Sequence, residues 1–213
     1  MGEASRKRIF LASHNAKKVA EMQRILADQI PDIEVVGADD IPAYVEPVED
    51  QPTFAGNALL KARTGLAASG LPTVADDSGL CVDALNGMPG VLSARWSGPP
   101  KSDDRNNELL LAQLADVPDE RRGAHFTCAV ALCLPGGNHE VVEGRMYGQI
   151  IRERRGGGGF GYDVVFVAEE HLDAGLTTAE LDPVEKDRLS HRGQALRELA
   201  PRLARLLDQP PLG

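Results

Sequence analysis

Two adjacent carboxylates in the middle of the chain are the residues best suited to chemistry. They are Asp76 and Asp77, followed directly by Ser78 and Gly79. The apolar stretch before them predicts a short strand over 71–76, and Gly79 permits a turn immediately afterwards. Carboxylate and hydroxyl oxygens at a strand end suit Mg²⁺, which takes oxygen ligands and keeps several waters. The alternative is a solvated turn, because Asp, Ser and Gly are common turn residues.

A polar loop near the N-terminus carries a candidate anion site. A buried strand over 8–13 is predicted to lead into a helix over 16–28, whose apolar side chains recur at helical spacing. The first turn of that helix holds Lys17 and Lys18. Backbone N–H groups at a helix start, together with lysines, favour a phosphate. The alternative is an ordinary connection that binds nothing, and the GxxxxGK[ST] pattern of a P-loop is absent.

Two stretches in the C-terminal half suit a nucleotide base. Phe160 interrupts a glycine-rich run over 156–163, just before a predicted strand at 164–167. Glycines let the backbone approach a ligand and an aromatic ring can stack on a base, which favours binding over a flexible linker. His191 and Arg192 lie at a helix start, where the helix dipole disfavours cations. They therefore indicate an anionic or base-edge partner, unless they are ordinary surface charges.

The elements that must position these residues follow an α/β pattern. Further strands are predicted at 33–36 and 80–85, and helices at 52–69, at 103–115 and from Asp182 onwards. The clearest strand, 124–134, alternates apolar and other residues and turns into a second strand at 140–147. Such long antiparallel strands exclude a simple parallel doubly wound sheet.

The composition is that of an ordinary globular protein. With 213 residues the chain is long enough for one large domain or two small lobes. Its net charge of −9 argues against a general nucleic-acid surface, so an anionic ligand requires a local cluster of Lys and Arg. No apolar run reaches the roughly 20 residues of a membrane span, which favours a cytoplasmic protein. Cys81, Cys128 and Cys133 are odd in number and show no CxxC spacing, so reduced, structural cysteines are expected.

Five motifs in order resemble the inosine triphosphatase (non-canonical purine NTP pyrophosphatase, Ham1-like) family, from about Ile9 to Leu206. They are Ser13-His14-Asn15-Ala16-Lys17-Lys18, Ala75-Asp76-Asp77-Ser78-Gly79-Leu80, Pro89 to Gly98 with Arg95, Gly159-Phe160-Gly161-Tyr162-Asp163, and Lys186 with Ser190-His191-Arg192-Gly193. The resemblance implies an α/β fold with a long, curved mixed β-sheet, flanking helices and two lobes around a central cleft. It implies a single domain over 8–208 with frayed termini at 1–7 and 209–213.

The resemblance also implies an activity. It is the Mg²⁺-dependent hydrolysis of ITP, dITP and XTP to the monophosphate and pyrophosphate, which cleanses the nucleotide pool. The implied partners are a nucleoside triphosphate and a second copy of the chain in a homodimer, with no nucleic acid and no membrane. The alternatives are a related pyrophosphatase acting on modified pyrimidine or ordinary NTPs, and a non-catalytic nucleotide sensor.

The resemblance assigns roles residue by residue. Asp77 would be the catalytic proton acceptor and a metal ligand, and Ser78 would touch the substrate. Glu49 is our candidate for a second metal ligand, in place of a family acid that this chain lacks. The triphosphate would be held by Ser13, His14, Asn15, Ala16, Lys17 and Lys18. The base and sugar would be enclosed by Phe160, Gly161, Tyr162, Asp163, Lys186, His191 and Arg192. Adjacent residues of a strand face opposite sides of the sheet, so Asp76 and Asp77 cannot be equivalent. The resemblance favours Asp77, whereas the spacing alone does not choose between them.

The chain departs from the family pattern at three places. Gly56 stands where an acid is common before Asn57, so any role of that acid is lost or passes to Glu49 or Asp50. Met146-Tyr147 replaces a usual tryptophan, and Val164 replaces a proline.

Overall fold

The computed structural model describes residues 7–207. The strands are β1 Lys7–Leu11, β2 Ile33–Val36, β3 Thr73–Val82, β4 Gly123–Cys133, β5 His139–Ile150 and β6 Phe166–Ala168. The α-helices are α1 Ala16–Ala27, α2 Phe54–Ser69, α3 Asp103–Gln113, α4 Pro183–Leu189 and α5 His191–Leu207. The termini predicted to fray lie outside the described residues, except that Lys7 begins β1. No helix in the described range is long and apolar enough to cross a membrane.

Local capping explains where the predicted helices begin and end. The side chain of Asn15 caps α1, and Thr53 caps α2 by accepting from the N–H of Gly56. Gly70 ends α2 with φ of 67°, a conformation that glycine adopts at no steric cost. Asp182 caps α4 ahead of the N1 proline. These helix predictions are confirmed to within a few residues.

The strands form one mixed sheet in the order β2-β1-β3-β4-β5-β6. β1 pairs in parallel with both β2 and β3, whereas β5 and β6 are antiparallel. At Gly148 of β5 an added Cβ would overlap the Val167 carbonyl of β6, so this close approach requires glycine. The prediction of an α/β fold with a mixed sheet and flanking helices is therefore confirmed.

The prediction of a turn at Gly79 is wrong. β3 continues through Asp76, Asp77, Ser78 and Gly79 to Val82, and Asp83–Leu85 form a 3₁₀ turn, not the predicted second strand. Leu80 is fully buried, and its N–H donates to the Ser93 hydroxyl at 2.9 Å. Burial of the strand on both sides outweighs the turn preference of Asp, Ser and Gly, which is only a local tendency.

Two compact units divide the described chain. Unit 1 takes 7–77, 129–143 and 192–207, and unit 2 takes Ser78–Cys128 and Gly144–His191, so that β3, β4 and β5 contribute to both. The single-domain boundary at 8–208 stays a prediction.

One cluster of small buried residues in unit 1 lies beside α2, although unit 1 also buries large side chains such as Phe10, Leu26 and Leu199. Unit 1 contains a cluster of small residues from α2 and the strands, namely Ala58, Ala62, Ala75, Ala129, Ala131 and Cys133. Unit 2 is built on larger side chains such as Leu110, Phe126 and Phe166, the two aromatic rings meeting edge to face at 4.8 Å. The replacement residue Met146 is buried in that second core, and Val164 packs against it. The small side chains of this cluster in unit 1 allow α2 to lie close to β3, which brings polar groups of α2 to the carboxylates.

Candidate functional site

Asp77 lies within a group of charged and polar side chains in unit 1. It is 9% exposed, and its Oδ2 accepts a hydrogen bond from Asn57 Nδ2 at 2.9 Å. Lys61 Nζ lies 3.9 Å from Asp77 Oδ1 and 2.6 Å from Glu49 Oε1. The two carboxylates predicted as metal ligands are thus held beside the same lysine.

Electrostatics make Asp77 an unusual carboxylate. Burial raises its pKa against the opposing effects of Lys61 and Asn57, and Glu49 and Asp76 raise it further. Burial also disfavours the charge of Lys61, but Asp76, Glu49 and Asp77 outweigh that effect and raise its pKa. A buried carboxylate that is costly to ionise is suited to accept a proton or bind a cation.

Asp76 has a different environment in the same unit. It is 5% exposed, and its two oxygens accept from Lys18 Nζ at 3.0 and 2.9 Å. Arg192 donates to Oδ2 through Nε and Nη2, both at 3.2 Å. Burial opposes ionisation of Asp76, but Lys18 and Arg192 prevail and lower its pKa far below the ordinary value of 3.8. Adjacent aspartates on one strand therefore have opposite shifts, which supports assigning the chemistry to Asp77.

The loop before α1 is tightly hydrogen-bonded within itself. Asn15 Oδ1 accepts from the N–H groups of Lys17 and Lys18 at 3.0 and 3.4 Å. Ser13 Oγ accepts from the N–H of Asn15 at 3.1 Å. Two N–H groups expected to serve an anion are therefore already capped, while the side chain of Lys17 is exposed.

His14 of this loop contacts carboxylates. Its Nδ1 lies 2.6 Å from Asp39 Oδ1, and its Nε2 lies 3.1 Å from Glu46 Oε1. The hydrogen bond with Asp39 is the main reason that the pKa of His14 is raised above 6.5. The side chain therefore connects the loop before α1 to the acidic segment 38–51, which also carries Glu49.

The acidic segment 38–51 is connected to Asp77 through the side chain of Asn57 in α2. The N–H of Gln51 donates to Asn57 Oδ1 at 3.0 Å, and the other end of the same amide reaches Asp77. A Cβ at Gly56 would lie 2.8 Å from Gln51 Cβ. The departure at Gly56 thus lets the segment pack on α2, and an acid at this position would require Gln51 to move.

In unit 2 a second cluster is built around Asp163, which is 6% exposed. Its Oδ2 accepts from the N–H of Phe160 at 2.9 Å and from Lys186 Nζ at 2.6 Å, and its Oδ1 accepts from the Thr178 hydroxyl at 2.9 Å. Phe160 is 65% exposed, with Lys186 Nζ 5.7 Å from the ring centre. An exposed aromatic ring and a lysine are thus held in place by one buried carboxylate.

The remaining predicted residues take several positions. Tyr162 is buried and its hydroxyl donates to the Ser93 carbonyl at 2.9 Å. The imidazole of His191 stacks on Phe126, with ring centres 5.1 Å apart. Gly161 donates its N–H to Asp103 Oδ2 at 2.7 Å, and Ser78 is half-buried in β3. The structure therefore places the Tyr162 side chain in the core of unit 2, where it anchors the glycine-rich segment.

Sequence reasoning missed Asn57 and Lys61. They lie four residues apart on α2, a spacing that puts both on one helix face. The signal that could have identified them was this i, i+4 pair of polar side chains within a helix rich in alanine and leucine.

A metal bound beside Asp77 would have few protein ligands. In the described part of the chain no group of three or more His, Cys, Asp or Glu side chains could hold a metal ion. Magnesium, however, is commonly bound through one or two carboxylates, waters and substrate phosphates. Asp77 and Glu49, held beside one lysine, fit that requirement.

Comparisons with known proteins match nearly the whole chain. The model of the Ham1 family matches residues 9–202. A Nocardia farcinica protein named dITP/XTP pyrophosphatase is 58% identical over 203 residues, covering 95% of this chain and 97% of the relative. A crystal structure of nucleoside-triphosphatase / dITP/XTP pyrophosphatase from Mycobacterium abscessus is 52% identical with a TM-score of 0.75, covering 95% of this chain and 100% of that one. The structure of the Staphylococcus aureus Ham1 protein is 36% identical with a TM-score of 0.83, covering 94% and 100%.

Proposed function

Because this chain belongs to the Ham1 family and is a nucleoside-triphosphate pyrophosphatase, we propose that it hydrolyses ITP, dITP and XTP to the monophosphate and pyrophosphate. This activity would remove non-canonical purine nucleotides from the cellular pool. Relatives from Nocardia farcinica and Corynebacterium efficiens carry the name dITP/XTP pyrophosphatase, which supports the proposal. The observation that carries it is the placement of Asp77 beside Glu49 and Lys61.

The charges of unit 1 support a requirement for Mg²⁺. Three cations and four carboxylates lie in the connected cluster, namely Lys18, Lys61, Arg192, Glu21, Glu49, Asp76 and Asp77. Such a cluster repels a triphosphate unless further positive charge is supplied. We propose that Asp77 and Glu49 hold Mg²⁺, which when bound offsets this repulsion and stabilises charge on the leaving pyrophosphate.

The stretch Ser13 to Lys18 is proposed to hold the triphosphate. The side chain of Lys18 is 24% exposed, so its ammonium is accessible to a phosphate. Lys17 adds a second, exposed ammonium in the first turn of α1. Asn15 and Ser13 would shape the loop, and His14 would fix it to the acidic segment.

We propose that Lys186, His191 and Arg192 recognise the base. These side chains donate hydrogen bonds to the 6-oxo edge of hypoxanthine or xanthine, whereas adenine presents an amino donor there. Unmatched donors can discriminate by ~10⁴-fold. The exposed ring of Phe160 is available for stacking on the base. Asp163 accepts hydrogen bonds from the backbone N–H of Phe160 and from Lys186 Nζ, which fixes both residues.

Asp77 is proposed to take the proton from the water that attacks the α-phosphorus. Burial raises the pKa of Asp77, and a carboxylate with a raised pKa is a stronger base. Asn57 orients it by donating to Oδ2. Asp77→Asn should therefore lower kcat by roughly 10³-fold or more, within the range seen when a catalytic base is removed.

The test is pyrophosphate release from ITP, dITP, XTP, ATP, GTP, dTTP and UTP, with Mg²⁺ and with a chelator. We expect fast release from the first three only, and only with Mg²⁺. Faster release from dTTP or UTP would instead identify a pyrimidine or general NTP pyrophosphatase. Binding of ITP without release would identify a nucleotide sensor.

A homodimer and a cytoplasmic location are also proposed, as the family resemblance implies. The three cysteines are free thiols, as expected in a reducing compartment. Sedimentation equilibrium tests the dimer, and a single species at the 22.8 kDa of one chain would refute it.

A further inference from the structure

Asp76 connects two helices that are proposed to serve different parts of the substrate. Lys18 comes from the first turn of α1, and Arg192 from the first turn of α5. Asp76 Oδ2 accepts from both, at 2.9 Å from Lys18 and 3.2 Å from Arg192. One oxygen of one buried carboxylate therefore sets the positions of two cations.

The buried and fully bonded carboxylate of Asp76 is poorly placed to contact the substrate or to transfer a proton. Its side chain is 4% exposed, and both oxygens bond to Lys18. Arg192 is itself 10% exposed at its side chain and directs Nη1 towards Glu21 at 3.5 Å. The guanidinium is thus held from two sides, which fixes its plane and leaves few alternative rotamers.

We propose that Asp76 is a positioning residue that holds Lys18 and Arg192 in their working orientations and so couples binding of the triphosphate to selection of the base. This inference rests on the proposed function, in which Lys18 meets phosphate and Arg192 meets the purine. A phosphate that draws on Lys18 competes with Asp76 for the same ammonium. When phosphate draws Lys18 away, Asp76 interacts more strongly with Arg192. The guanidinium that recognises the base is therefore oriented most firmly when the triphosphate is bound.

The principal test is Asp76→Asn, which keeps the size of the side chain and removes its charge. The KM for ITP should rise about tenfold or more, the size expected for losing a hydrogen bond with a charged partner. The ratio of kcat/KM for ITP to that for ATP should fall about tenfold as well, while kcat stays within about threefold. Lys17→Ala is the matched control, because it removes a neighbouring cation that does not share Asp76. It should raise KM for both nucleotides equally and leave the ratio unchanged.

Three results would overturn this inference. A fall in kcat of about a hundredfold with unchanged KM would make Asp76 a catalytic group. An unchanged KM, or an unchanged ratio of ITP to ATP, would show that Asp76 serves the fold alone or only one cation. If Asp76→Asn does not fold, the same test is made with Asp76→Glu, again from the KM for ITP and the ratio of kcat/KM for ITP to that for ATP. It keeps the charge but moves it by one methylene, so both quantities should shift by at least about threefold.

Failure of the proposed function gives a different result. Wild-type protein that releases no pyrophosphate from ITP, dITP or XTP refutes both proposals. Active wild type with an unaltered Asp76→Asn variant refutes only the positioning role.

Discussion

The adjacent aspartates of β3 should respond in opposite ways to the same substitution. Asp76→Asn leaves Lys18 and Arg192 without their shared anion in a site where Asp76 is 5% exposed. Removing one partner of a buried ion pair costs about 3–5 kcal/mol. Lys18 is 24% exposed and can regain water, and Arg192 keeps Glu21 at 3.5 Å. We therefore expect the lower end, a loss of about 3 kcal/mol in the free energy of unfolding.

Asp77→Asn should not lower stability. The new amide oxygen can still accept from Asn57, and the substitution removes a charge that burial disfavours. It also relieves repulsion with Glu49 and Asp76, both of which raise the pKa of Asp77. Its free energy of unfolding is expected to equal or exceed that of wild type, while its activity is lost.

The pH dependence has a definite sign for each aspartate. The folded-state pKa of Asp76 is lowered, so its contribution to stability is complete above 3.8 and is lost as pH falls through the folded-state pKa. The folded-state pKa of Asp77 is raised, so its contribution is present below 3.8 and is lost as pH rises through the folded-state pKa. The deficit of Asp76→Asn relative to wild type should therefore be largest near pH 7 and shrink below pH 3.8.

The assay is urea unfolding of wild type and both variants, followed by far-UV circular dichroism at pH 7 and at pH 3. Thermal midpoints give a second measure, with about 2–4 °C expected for each kcal/mol in a chain of this size. Equal losses in the two variants, or a larger loss in Asp77→Asn, would refute the division of roles between them.

Three further substitutions test other parts of the structure. Arg192→Ala should lower kcat/KM for ITP by about 10–100-fold and leave that for ATP nearly unchanged, because in the proposed site only an oxo base would accept its hydrogen bond. Equal losses would assign Arg192 to the phosphates or the fold. Arg122 is 2% exposed and donates to three backbone carbonyls at 2.6–3.0 Å, so Arg122→Met should cost about 3 kcal/mol in urea unfolding, and a cost below about 1 kcal/mol would contradict that role. His14 has a raised pKa, so its pairing stabilises the fold below pH 6.5 and is lost as pH rises through the folded-state pKa. His14→Asn should thus lower the thermal midpoint at pH 6 but not at pH 9, and a deficit independent of pH would rule out that pairing.

The sequence by itself determined the features that depend on a few neighbouring residues. The limits of α1, α2 and α4 follow from caps at Asn15, Thr53 and Asp182 and from the stop at Gly70. Capping satisfies backbone groups within one helical turn, so its signal is complete within a short stretch. The five motifs likewise identified the family, because each is contiguous or nearly so in the chain.

Only the tertiary structure decided what burial and distant charges do to those residues. The segment around Gly79 has the composition of a turn, yet it is strand, because the surrounding core buries Leu80 and Val82. The same holds for charge: Asp76 finds Lys18 58 positions away and Arg192 116 positions away. Such partners cannot be predicted from the spacing of nearby residues. The difference between Asp76 and Asp77 therefore arises from which side chains fold against each face of the strand, since burial and Coulomb interactions depend on distance in space and not on distance along the chain.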